Sequence, residues 1–169
     1  ARIAKAMGMR ILAYDNNPCD EGRAIGDYVS LDALYAQSDV IALHCPLFSE
    51  TRGMICKESI AKMKDGVILV NTSRGALVKT EDLIEGIRLH KFAGVGLDVY
   101  EEETKNVFED RSDEILEHST TARLLSFPNV MITSHQGFFT KEALEAIAET
   151  TLQNALDFES GKKSPNQVE

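Results

Sequence analysis

Five apolar runs, each five to seven residues long and parted by segments of helical character, constrain the fold of this chain more than any other feature. They are Arg10 to Asp15, Val40 to Cys45, Val67 to Asn71, Ala93 to Val99 and Asn129 to Ser134. Apolar residues fall at both parities in these runs, with no strict alternation. That pattern suits parallel strands covered on both faces. Helical stretches stand between them. Leu31 to Gln37 has Ser30 placed to cap it. Glu58 to Met63 follows, then Asp65-Gly66 as a turn signal. Glu81 to His90 carries acids in its first turn and basic residues near its end, as the helix dipole favours. A long amphipathic helix is expected from Lys141 to Glu159, with Gly161 in a stop position. The repeated strand–helix–strand order predicts a doubly wound α/β domain with a parallel sheet. Glu101 to Ser119 is acid-rich and long for a connection, either a functional loop or a surface excursion.

Composition narrows the function. The chain has 169 residues and a formal net charge of −9, which disfavours nucleic acid and anionic membrane surfaces as partners. No apolar run reaches the roughly 18 residues of a membrane span. Nothing at the start reads as a secretion signal. Cys19, Cys45 and Cys56 fit no zinc pattern or disulfide framework, so reduced thiols in a cytoplasmic protein are expected. No histidine cluster suggests a metal site. The opening Ala1 to Met9 reads as the tail of a helix with a Gly stop. In a dinucleotide-binding unit a strand and a glycine-rich turn precede that helix, so the sheet is expected to be truncated at its amino-terminal end.

In open α/β sheets ligands bind outside the carboxyl ends of the strands. The residues that follow the five runs are therefore the candidates. Asp15 ends the first. A carboxylate there accepts hydrogen bonds from an adenosine ribose diol and repels a 2′-phosphate, favouring NAD over NADP. It also suits a turn before Asn16-Asn17-Pro18. His44, Cys45 and Pro46 stand at the end of the second run, with Cys45 read as a small packing residue near a ligand rather than a nucleophile. Arg74 follows the third, where a guanidinium can capture a carboxylate in bidentate fashion or serve as a plain surface cation. Asp98 and a run of three glutamates follow the fourth. His135 follows the fifth. Paired with a carboxylate, it would act as a proton donor near neutral pH; alone it would be structural.

Four ordered motifs resemble the D-2-hydroxyacid dehydrogenase family. They are Ile41 to Leu47 followed by Thr51, Val70 to Val78, Gly94 to Glu101, and Pro128 through Phe138. The resemblance implies a Rossmann-like NAD-binding domain and a catalytic set of Arg74, Glu103 and His135. In that set the Arg holds the substrate carboxylate, the His moves the proton, and the Glu pairs with the His. Asp15, Cys45, Pro46, Thr51, Thr72, Ser73 and Asp98 match positions lining the cofactor. Residues 1–139 are then a partial NAD-binding domain lacking its first strand and glycine-rich turn. Residues 140–169 are a terminal helix returning to a substrate domain. The segment holding Val107 to Asp110, and the stretch from His135 to Thr140, resemble the fermentative D-lactate branch. Pyruvate is thus the expected substrate, with glycerate or hydroxypyruvate as the rival and an NAD-sensing binding protein as the non-catalytic alternative. The family implies a homo-oligomer, and a chain of this extent alone is expected to be inactive.

Overall fold

The computed structural model describes residues 1–101 and 120–167. Glu102, Glu103 and the Val107 to Asp110 segment lie outside the described residues. The chain forms two compact units, Ala1–Ser134 and His135–Glu169.

The first unit opens with α1 (Arg2–Ala6), β1 (Leu12–Ala13), α2 (Asp20–Ile25) and β2 (Asp27–Tyr28). It continues with α3 (Leu31–Gln37), β3 (Val40–Leu43), α4 (Lys57–Lys62) and β4 (Val67–Asn71). A 3-10 turn (Gly75–Leu77), α5 (Thr80–Arg88), β5 (Phe92–Leu97), α6 (Thr120–Leu125) and β6 (Val130–Ile132) complete it. β1 and β2 pair in parallel, and β3-β4-β5-β6 form a second, wholly parallel sheet in sequence order. This is the expected parallel α/β architecture.

Local chemistry accounts for several boundaries. The Ser30 hydroxyl accepts the Ala33 N–H at 3.2 Å, so α3 starts where a cap satisfies an orphan donor. α5 presents Leu83, Ile84 and Ile87 to the core, at 0%, 1% and 3% exposure, and keeps Glu81 and Asp82 in its first turn. Against these pack Val67 and Leu69 of β4 and Phe92 and Val95 of β5. Gly86 makes this contact possible, because a Cβ there would lie 2.8 Å from the Phe92 ring.

Burial alternates along β3 and β4, with Ile41, Leu43, Val67 and Leu69 buried while Val40, Ala42 and Ile68 are exposed. Among the described residues the core packs on one face of the sheet, and Val40, Ala42 and Ile68 mark the other.

The second unit is α7 (Lys141–Glu159) and its tail. The Thr140 hydroxyl caps it by accepting the Ala143 N–H, and Gly161 follows it at φ 68°. The tail folds back on the helix through Ser164 Oγ and Asn166 Nδ2, both bonded to Asn154 Oδ1. Leu144, Ile147, Leu152 and Leu156 stay exposed, and no residue of the helix is buried.

Candidate functional site

Parallel pairing sets the site. Leu43 is in register with Asn71, Asn71 with Leu97, and Leu97 with Ile132. These four residues form one row across the sheet. The next residue of each strand, His44, Thr72, Asp98 and Thr133, therefore leaves the same edge.

Asn71 is the centre of that edge. Its side chain is wholly buried, and every polar group in it is used. Oδ1 accepts the Ser73 N–H at 3.1 Å, and Nδ2 donates to the Arg74 carbonyl at 2.9 Å. Its own carbonyl accepts the Asp98 N–H at 2.9 Å. Ser73 carries the brace to the neighbouring strand, its hydroxyl donating to the Cys45 carbonyl at 2.6 Å. Beyond this frame Arg74 is exposed. Its Nη1 donates to the Ser73 carbonyl at 2.7 Å, and it forms no ion pair with a described residue. Gly75 then lies against the end of β5, where a Cβ would come within 2.3 Å of the Tyr100 carbonyl.

The connection after β3 is laced to the same region. The Gly53 and Ile55 N–H groups donate to the Ala76 and Leu77 carbonyls, and Lys79 N–H returns a bond to Ile55. Thr51 is occupied within its own loop. Its hydroxyl accepts the Phe48 N–H at 2.8 Å and donates to the Pro46 carbonyl at 2.8 Å. The Cys45 thiol lies 3.5 Å from the Met54 sulfur. Burial pushes its pKa up, with a smaller contribution from the nearby Asp15 charge. The thiol form is thus favoured, which suits packing rather than nucleophilic attack. Asp15 is exposed and closes a turn by accepting the Asn17 N–H at 2.8 Å with Oδ1. Oδ2 has no partner among the described residues and remains a ready acceptor.

At the other side of the edge, Thr133 donates its N–H to the Leu97 carbonyl and its hydroxyl to Asp98 Oδ1. Ser134 and His135 follow with φ of 51° and 57°, two successive non-glycine residues in the left-handed region. Such backbone costs about 1–3 kcal/mol per residue and concentrates at functional positions. Glu101 is committed elsewhere, since its Oε2 accepts the Thr80 N–H at 2.8 Å.

Of the residues read as a site, the structure places Cys45, Thr72, Ser73, Arg74 and Asp98 on one edge, with Pro46 and Thr51 in the adjoining loop. Asp15 is close enough to Cys45 for their charges to interact. His135 belongs to the second unit, and Glu103 lies outside the described residues. Sequence reasoning gave no role to Asn71, Gly75 or Thr133. The available signal was a polar residue closing an apolar run, as Asn71 closes Val67 to Val70.

NAD fits these residues. The unspent Asp15 acceptor suits a ribose diol, and the loop after β3 presents its backbone from a braced frame. The family model for the D-isomer specific 2-hydroxyacid dehydrogenase NAD-binding domain matches residues 1–137. A 2-hydroxyacid dehydrogenase homolog of Haemophilus influenzae is 48% identical over 99% of this chain and 51% of its own length. The D-lactate dehydrogenase of Escherichia coli is 43% identical over 99% of this chain and 51% of its own. The crystal structure of the Lactobacillus jensenii D-lactate dehydrogenase with NAD+ superposes with a TM-score of 0.84 at 33% identity, over 100% of this chain and 51% of that one. The chain thus spans about half the length of these relatives. With its parallel sheet, its strand-edge site and a family match over the whole of the first unit, the chain belongs to the NAD-binding domain family of the D-isomer specific 2-hydroxyacid dehydrogenases.

Proposed function

We propose that the full-length polypeptide carrying this chain reduces pyruvate to D-lactate with NADH and runs the reverse reaction. The observation that carries the reading is the exposed guanidinium of Arg74, held at the carboxyl edge of a parallel sheet on a buried, hydrogen-bonded base. An exposed guanidinium with no ion pair to a described residue is the group a 2-oxoacid carboxylate requires. NAD, when bound, supplies or accepts the hydride. Asp15 takes the ribose hydroxyls, and Cys45, Pro46, Thr51, Thr72, Ser73 and Asp98 line the remainder of the cofactor's path. Arg74 orients the substrate and polarises its 2-oxo group. His135 gives its proton to the developing alkoxide in reduction and removes it in oxidation. Glu103 holds the imidazolium form of His135. The same reading makes the protein a cytoplasmic homo-oligomer in which the terminal helix of residues 140–169 meets a substrate domain.

The test is NADH oxidation by the full-length polypeptide against a panel of 2-oxoacids, with His135→Gln alongside. Pyruvate as best substrate, and a loss of about 100-fold or more in the variant, is the expected result. A preference for hydroxypyruvate would move the substrate but keep the chemistry. NADH binding without turnover of any 2-oxoacid would replace the enzyme with an NAD-sensing protein.

A further inference from the structure

We propose that Asn71 is a positioning residue for the reaction. Its buried amide sets the orientation of Arg74, and through Arg74 the binding of the 2-oxoacid carboxylate. The inference rests on the reading of Arg74 given above. Arg74 is exposed and has no ion pair among the described residues, so no charge of a described residue fixes its aim. What is fixed is the backbone it grows from. Asn71 Nδ2 grips the Arg74 carbonyl, and Asn71 Oδ1 grips the Ser73 N–H, so one side chain spans the turn from the last strand residue to the arginine. The guanidinium then folds back onto the Ser73 carbonyl, inside the same turn. Asn71 is wholly buried and in register with Leu43 and Leu97, so it cannot drift relative to the sheet. Its carbonyl also takes the Asp98 N–H, and Ser73 takes the Cys45 carbonyl. The Asn71 amide thus holds the turn after β4, while its backbone carbonyl and the Ser73 hydroxyl tie that turn to Asp98 and Cys45.

A residue that only stabilised the fold would lower the melting temperature without singling out one substrate. A positioning residue raises KM for the 2-oxoacid and leaves NADH affinity close to wild type. The experiment uses the full-length polypeptide with Asn71→Leu, which keeps the volume and deletes both hydrogen bonds. Asn71→Ser, which is smaller and leaves room for water, serves as a second variant. Each is made alone and with Arg74→Ala, and NADH binding is followed by fluorescence and pyruvate turnover at steady state. KM for pyruvate is expected to rise on the order of tenfold to a hundredfold in either single variant, the scale of a misplacement near 1 Å. In the Arg74→Ala background the same substitutions are expected to cost almost nothing more, because residues that act through one another are not additive. Additive losses in the double variants would overturn the inference, as would an unchanged KM with a lowered melting temperature. It is equally overturned if neither Asn71 variant folds while Arg74→Ala folds normally, since Asn71 would then serve the fold beyond Arg74. If Arg74→Ala itself leaves the pyruvate KM unchanged, the reading of Arg74 fails first.

Discussion

Gly75→Ala tests the close packing beneath the arginine. Gly75 does not have a positive φ, so alanine could adopt its backbone. The obstacle is space. A Cβ at Gly75 would lie 2.3 Å from the Tyr100 carbonyl carbon and oxygen and 2.8 Å from the Glu101 nitrogen. These are backbone atoms, so no side-chain rotation relieves the clash. The two segments must part by about 1.1 Å to reach the 3.4 Å at which ordinary contact begins. Neither side yields easily. Leu77 is 0% exposed on one, and Val99 and Tyr100 are 1% and 6% exposed on the other. Overpacking of this kind costs about 1–3 kcal/mol. In a domain of this size that lowers Tm by roughly 2–12 °C. The displacement falls next to Arg74, so KM for the 2-oxoacid should rise as well, by up to about 100-fold for a shift near 1 Å. Differential scanning calorimetry and steady-state kinetics on the full-length polypeptide read the two effects. Gly96→Ala is the control, because its Cβ would meet Val70 at 3.9 Å, an ordinary contact. If Gly75→Ala melts within about 1 °C of wild type and keeps its KM, the reasoning is refuted.

Other outcomes follow from the same structure. Tyr35 is 3% exposed and donates to the Met54 carbonyl at 3.1 Å; burial first, with nearby cysteines adding, pushes its pKa up from 10.0 to about 12. The folded state therefore holds the phenol proton more tightly than the unfolded one, giving stability that is fully present below pH 10 and is lost as pH rises towards 12. Tyr35→Phe should lose about 1 kcal/mol at neutral pH and show a shallower alkaline decline, and urea unfolding at pH 8 and pH 11 gives the comparison. An alkaline limb identical to wild type would contradict it. Ser134→Gly should raise stability by about 1 kcal/mol by relieving the left-handed backbone, whereas Ser134→Val should lower it. A lower Tm for the glycine variant would count against strain at this position.

The elements legible in the sequence are those whose limits are written in local chemistry. Leu31–Gln37 emerges as read because Ser30 caps it, and Lys141–Glu159 because a threonine and a glycine bracket it. Val67–Asn71 emerges between a Gly66 turn and a polar stop. The strand expected over Arg10 to Asp15 shrinks to Leu12–Ala13, because its only described partner, β2, offers two residues. β2 and α2 were not anticipated. β2 owes its state to its pairing with β1, and α2 is capped by the sulfur of Cys19, which accepts the Gly22 N–H at 3.3 Å. Pairing across a distance leaves no local trace, and cysteine is not among the residues that ordinarily mark a helix start.

The site divides along the same line. Which residues leave the edge was readable, since parallel strands send all their carboxyl ends one way. What braces them was not, since that depends on where a buried side chain points. The braces nonetheless share a place in the chain. Asn71 closes β4 and holds the turn that carries Arg74, and Thr133, the first residue past β6, is fixed to Leu97 and Asp98 just before the strained pair Ser134 and His135. A strained backbone persists only where its surroundings over-determine it, and an exposed cation keeps its aim only if its base does not move. Both demands are met most directly at the last rung of the sheet, where the backbone is already held on one or both sides. A polar residue at that rung or one past it, two or three positions before a candidate Arg or His, is therefore better explained as support for that residue than as a strand terminator.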